Sequence, residues 1–241
     1  MLLLKPYKIY IGAWLLLTVA ACSLNGKTET PPIEDTAPAI DSLHYLALGD
    51  SYTIGERVPY EARYPIQLAR QLQAEGILLT EPTIIARTGW NTTQLKNAIA
   101  AAELRPAYDL VSLLIGVNNQ YQNMPIERYE TEFRELLGTA LRLAGGDTSR
   151  VFVLSIPDYA YTPFGQSSNP ARISRELDAY NTINQAISQE LGIARFDITP
   201  ISRQGLAQPE LVAPDRLHPS GEMYRRWVML FFDFVKARLE S

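Results

Sequence analysis

Ser51, Asn118, Asp215 and His218 stand in settings that suit nucleophilic chemistry. Ser51 closes Gly49-Asp50-Ser51 directly behind an apolar run, where a glycine permits a tight turn and leaves the hydroxyl exposed at a strand end. A serine hydroxyl is a weak nucleophile at neutral pH and needs a base, most often imidazole, to take its proton. Asp215-Arg216-Leu217-His218-Pro219 lies just ahead of the last helical segment. Its three-residue spacing lets one turn of chain set carboxylate against imidazole. Gly116-Val117-Asn118-Asn119 follows another apolar run, so that the Asn118 amide can donate to a developing oxyanion. In Arg87-Thr88-Gly89-Trp90, Gly89 can bring a bare backbone N–H close to a ligand. Taken singly, Gly49-Asp50-Ser51 and the Gly89 turn read first as an ordinary turn or helix cap, Asn118 reads also as a loop residue bonding its own backbone, and the Asp215–His218 pair as a helix-capping Asp beside a loop His. His44, at the start of the first apolar run, reads as a structural group at a strand end.

Composition removes several other chemistries. The chain has 241 residues, a formal net charge of −4, two histidines and one cysteine, Cys22. A zinc finger, a His-rich metal centre and an intramolecular disulfide do not fit these counts, whereas carboxylate-bound calcium or magnesium stays open. The mildly acidic balance lacks the electrostatic footprint of a nucleic-acid binder.

The elements that must position these residues follow from the apolar pattern. His44–Leu48, Thr83–Ala86, Leu110–Ile115 and Val151–Ile156 are short apolar runs, with Ile193–Phe196 a weaker fifth. Near-continuous apolarity predicts strands buried on both faces of a parallel sheet. Between them, Ile126, Tyr129, Phe133, Leu136, Leu137, Ala140, Leu141 and Ala144 recur at helical spacing. So do Ile173, Leu177, Tyr180, Ile183, Ile187 and Leu191, between Asn169-Pro170 and Gly192, and a last helix runs from Gly221 to about Leu239. The expected fold class is α/β: a three-layer α/β/α sandwich around a parallel sheet of about five strands, with ligands at the carboxyl ends of the strands.

In their order, Gly49-Asp50-Ser51, Gly89, Gly116-Val117-Asn118 and Asp215-x-x-His218 resemble the SGNH (GDSL-type) hydrolase superfamily over nearly all of residues 42–241. The resemblance implies a flavodoxin-like fold and a serine esterase. Ser51 would be the nucleophile, His218 the general base and Asp215 the group that orients it. The N–H groups of Ser51 and Gly89 and the side chain of Asn118 would form the oxyanion hole. It implies no metal and no cofactor. Two positions depart from the family pattern: Tyr52 stands outside the implied chemistry, and Asn119 replaces an Asp that supports the loop. An Asn119→Asp change is therefore expected to retain activity. The Gly-x-Ser-x-Gly elbow of α/β-hydrolases does not occur.

Gln120–Met124 and Pro157–Gly165 each follow a strand and are candidates to shape the substrate pocket. The amide-rich first segment predicts little apolar surface, hence a small ester or an O-acylated carbohydrate as substrate. The alternatives are a lysophospholipase or thioesterase, which needs a long acyl groove, and a non-catalytic binding lipoprotein.

Ahead of the domain, Lys5 and Lys8 precede an apolar stretch from Ile9 to Ala21. At about 1.5 Å per residue it is too short for a bilayer core of roughly 30 Å and reads as a signal segment, residues 1–21. Val19-Ala20-Ala21-Cys22 resembles the lipobox of bacterial lipoproteins, in which the Cys22 thiol would be acylated and become the first mature residue. Ser23 resembles an outer-membrane sorting context where the host has two membranes. Residues 22–41 carry the lipidated cysteine and a polar, Pro-rich tether, and 42–241 form the hydrolase domain. The expected location is the cell envelope, with a membrane contact through Cys22 and no nucleic-acid partner.

Overall fold

The computed structural model describes residues 42–240; the expected signal segment, Cys22 and the tether up to residue 41 lie outside the described residues. Five strands form one sheet: β1 (Tyr45–Gly49), β2 (Thr83–Ala86), β3 (Leu110–Leu114), β4 (Val151–Leu154) and β5 (Ala194–Phe196). Their order is β2-β1-β3-β4-β5, and every neighbouring pair is parallel. Parallel neighbours need crossovers, and helices fill them. α1 (Ser51–Ile54) and α2 (Tyr64–Ala74) join β1 to β2, and α3 (Thr92–Ala101) joins β2 to β3. α4 (Val117–Tyr121) and α5 (Ile126–Leu143) lead to β4, then α6 (Pro163–Gln166) and α7 (Pro170–Glu190) to β5. α8 (Thr199–Ser202) and α9 (Gly221–Leu239) finish the fold. α2 packs on α9, and α3, α5 and α7 pack in a row. With right-handed crossovers these two groups cover opposite faces, giving the expected three-layer α/β/α sandwich.

The apolar runs become strands where both faces are covered. Every residue of β1, β3 and β4 is buried, whereas the edge strands β2 and β5 are mostly half-buried. That explains the weak fifth signal, because Arg195 occupies the centre of β5 and donates to Asn184 Oδ1. Ile115 and Ile156, expected as strand ends, are buried but leave the ladder as the chain turns toward the sheet edge. On α7 the expected stripe is also modified. Ile183 and Leu191 are half-buried, and Asn181, Asn184 and Ser188 take buried places. Asn181 is inside because its amide accepts the Ile156 N–H at 2.7 Å and donates to the Ile156 carbonyl at 3.0 Å. On the other face, the Tyr64 ring packs against Tyr224, Trp227 and Phe231 of α9. Full burial of Phe231 contributes about 1.5–3 kcal/mol, whereas the Tyr224 hydroxyl and the Trp227 indole N–H are buried without a hydrogen-bond partner, which offsets part of what their rings contribute.

Candidate active site

In this strand order the connections diverge between β1 and β3, which is where such sheets place their ligands. Ser51 begins α1 directly after β1, and Asn118 lies in α4 directly after β3. Asp50 caps α1: its Oδ1 accepts the Tyr52 N–H at 3.0 Å. The Asp50 side chain is fully buried and its Oδ2 has no hydrogen-bond partner. Burial pushes its carboxyl up to about 7, against the opposing pull of the Tyr52 N–H.

The predicted Asp–His pair is present. His218 Nδ1 lies 2.6 Å from Asp215 Oδ2, and Asp215 Oδ1 accepts the N–H groups of Leu217 and His218 at 3.1 and 3.0 Å. Burial raises the Asp215 carboxyl, but the hydrogen bonds from the His218 ring and the two backbone N–H groups outweigh it and hold the group below its ordinary value. With a proton on Nδ1 facing the carboxylate, neutral His218 presents Nε2 as an acceptor. The turn is fixed at its base, where Ala213 N–H donates to His218 O at 2.8 Å and Ser220 N–H to Leu211 O at 2.8 Å. From the segment after β4, Phe164 N–H donates to Arg216 O at 3.0 Å. Tyr52, which the sequence placed outside the chemistry, packs its ring edge-on against His218 at 5.8 Å between centroids. His44, by contrast, bonds Thr80 Oγ1 and the Asp109 carboxylate at the opposite end of β1, as a structural group would.

The loops bearing Gly89 and Asn118 are tied to each other. Asn118 Nδ2 donates to Trp90 O at 2.9 Å, leaving its second amide hydrogen free of that bond. Asn119 accepts the Thr92 N–H at 3.0 Å and donates to Thr92 Oγ1 at 2.6 Å. Gln122 accepts from Asn91 Nδ2 at 2.8 Å and donates to Gly89 O at 3.0 Å. Gly89 adopts a left-handed backbone, φ 84°, that a side chain would strain. Thr92 carried no signal in the sequence and Gln122 only a place in the candidate pocket segment, since their part in tying the loops arises from contacts between two separate crossovers.

Ser51, Gly89, Asn118 and His218 line one cleft of about 230 Å³. Its other walls are Tyr52, Thr88, Val117, Tyr121, Tyr159, Phe164 and Leu217. The lining is therefore largely apolar, which corrects the expectation of little apolar surface. Residues 117–121 form a helix rather than a loop, which turns Tyr121 to the cleft, while Gln120 is buried against Glu176 and Tyr159. Among the described residues no group of three or more His, Cys, Asp or Glu side chains could hold a metal ion.

A parallel α/β/α sandwich with a serine, an Asp–His pair and an amide-bearing loop at one sheet edge defines the class of serine ester hydrolases of the SGNH type. A model of the GDSL-like lipase/acylhydrolase family matches residues 47–226, and the chain belongs to that family. No curated protein matches it significantly. Among solved structures it is similar to Axe2, an acetylxylan esterase from Geobacillus stearothermophilus, with TM-score 0.60 and 21% identity over 83% of this chain and 94% of that one. It is also similar to a lipase/acylhydrolase from Enterococcus faecalis (TM-score 0.63, 18% identity, 81% of this chain and 96% of that one). A third likeness is to TesA, with TM-score 0.62 and 15% identity over 81% of this chain and 99% of that one. At these identities the likeness is one of fold.

Proposed function

We propose that Ser51 is the nucleophile, His218 the general base and Asp215 its orienting partner in the hydrolysis of short-chain O-acyl esters, above all those of carbohydrates. The observation that carries this reading is the 2.6 Å Asp215–His218 hydrogen bond beside a cleft that His218 shares with Ser51, Gly89 and Asn118. His218 Nε2 takes the Ser51 proton as Oγ attacks the ester carbonyl. Negative charge then moves to the carbonyl oxygen, where the N–H groups of Ser51 and Gly89 and the Asn118 amide donate to it; one such donor is worth roughly 10²–10³ in kcat. The alcohol departs with the proton from His218, and water attacks the acyl-serine by the reverse route.

The size of the cleft and the exposed aromatic ring at its rim support the choice of substrate. An engineered apolar cavity of about 150 Å³ holds one benzene, so a cleft of about 230 Å³ has room for a short acyl group between its walls. Tyr121 is 55% exposed and its ring meets Tyr159 and Phe164 at 6.2 and 6.4 Å, an amphipathic surface suited to a sugar ring. The apolar lining favours the lysophospholipase or thioesterase reading as an alternative. A panel of p-nitrophenyl esters and acetylated sugars separates the two. At about 0.8 kcal/mol per buried CH₂, kcat/KM should rise from acetyl to butyryl and fall by octanoyl; a steady rise to dodecanoyl supports the alternative. A fluorophosphonate should label the wild-type protein once, at Ser51. Ser51→Ala should abolish labelling and turnover, and retained turnover would remove the assignment.

The reading extends to location: Cys22 carries lipid and holds the domain at the cell envelope, in the outer membrane where the host has one. The lone thiol behind an apolar segment is what supports it.

A further inference from the structure

We propose that Glu132 of α5 is a positioning residue for the oxyanion loops, acting through Thr92 and Asn119 as a one-proton relay whose direction its carboxylate sets. The inference rests on the assignment of Gly89 and Asn118 made above. Thr92 and Asn119 are fully buried, and Thr92 is the first residue of α3. Thr92 Oγ1 lies 2.5 Å from Glu132 Oε2, and Thr93 Oγ1 lies 2.8 and 2.9 Å from the two oxygens of the same carboxylate. A hydroxyl has one proton, and an ionised carboxylate only accepts. Thr92 therefore gives its proton to Glu132 and offers a lone pair to its other neighbour. That neighbour is Asn119 Nδ2, at 2.6 Å, which donates. The amide cannot be reversed, because its oxygen faces the Thr92 N–H at 3.0 Å.

The consequence falls on the cleft. Asn119 follows Asn118, and Thr92 lies on the segment whose Trp90 carbonyl receives the Asn118 amide. Holding Thr92 to Asn119 thus holds Gly89 and Asn118 in register, while Glu132 stands behind them on another helix and does not line the cleft. A carboxylate in place of the Asn119 amide could still accept the Thr92 N–H, but it would compete with Glu132 for one hydroxyl proton, and a buried acceptor would go unsatisfied. This reverses the sequence-based expectation that Asn119→Asp is harmless.

The test is a double-substitution cycle of Asn119→Asp and Glu132→Gln in the full-length protein, read as kcat and KM on a soluble acetyl ester. Asn119→Asp should lower kcat about ten- to a hundredfold with KM little changed, short of the roughly 10²–10³ expected when an oxyanion donor is lost outright. Glu132→Gln alone keeps an acceptor oxygen and should cost a few-fold. In the double variant the introduced glutamine amide donates to Thr92, Thr92 donates to the introduced aspartate, and kcat should recover at least tenfold over Asn119→Asp. An Asn119→Asp enzyme with wild-type kcat, or one that Glu132→Gln fails to rescue, overturns the relay. If Asn119→Asp is too unstable to assay, a higher melting temperature in the double variant supports it and an unchanged or lower one overturns it. Ser51→Ala, run alongside, separates the outcomes: residual turnover there removes the site assignment, whereas the cycle decides the relay by itself.

Discussion

A carboxyl that is wholly enclosed, with one oxygen on a backbone N–H and the other without a partner, favours its neutral form. Asp50 is such a group, raised from 3.8 to about 7 chiefly by burial. Between those values the folded protein keeps a proton on Asp50 that the unfolded chain has released, so this group's contribution to stability falls as pH rises from about 4 to 7 and is level above. An asparagine in its place would cap α1 equally well and does not titrate. Asp50→Asn should therefore gain thermal stability over the wild type as pH rises through that window, by up to a few kcal/mol at about 1.4 per unit of separation. Parallel melting-temperature curves from pH 4.5 to 8 would refute this. Asp50 itself was visible in the sequence only as the middle of a motif, since its burial depends on what surrounds it. The Asp215–His218 contact could be read from the sequence for the opposite reason: histidine is scarce in this chain, and a three-residue turn fixes the contact locally. Ser51 was marked only by the Gly49-Asp50 turn behind an apolar run. Tyr52, Thr92, Gln122 and Glu132 act across separate crossovers, and one sequence carries no record of which loops meet.

At the scale of elements, α4 has the most exacting entry. Gly116 precedes it at φ 132°, and a Cβ there would lie 2.5 Å from the Tyr129 ring and 2.6 Å from Ile156 Cδ1. Neither neighbour has room, because Tyr129 is wedged between Phe133 and Tyr180. Gly116→Ala should cost about 1–3 kcal/mol, a drop of several degrees in melting temperature for a domain of this size, and should lower kcat by displacing Asn118. Unchanged melting and turnover would show that α4 tolerates the shift. Periodicity revealed α5 and α7 because each is long and lays one apolar stripe on the sheet, while α9 was expected only by its bounds as the last helix. The shorter α2 and α3 were not marked, nor was α4, which is five residues with no stripe. β5 was faint because an edge strand tolerates Arg195.

For the whole molecule, the proposed lipid anchor and the catalytic domain make separable demands. Cys22→Ser should move the protein from the membrane to the soluble fraction, or block its processing, while leaving kcat on a soluble ester unchanged. Unaltered fractionation with no lipid mass at the N-terminus would remove the anchor. Strand alternation made the sandwich legible, since buried parallel strands and amphipathic helices leave few other layer arrangements. The strand order was not legible, because pairing joins segments far apart in sequence. Ser51 stands at the end of the first strand, whereas Asp215 and His218 precede the last helix. A chain emerging from the ribosome therefore carries its hydroxyl long before it carries the imidazole to activate it. Under the roles proposed for Ser51 and His218, it stays inert toward esters until His218 reaches the cleft just ahead of α9, whose docking buries Trp227 against Tyr64. In a variant with Trp14→Phe and Trp90→Phe, so that Trp227 alone fluoresces, ester hydrolysis should return after dilution from denaturant in step with the fluorescence change, and never ahead of it.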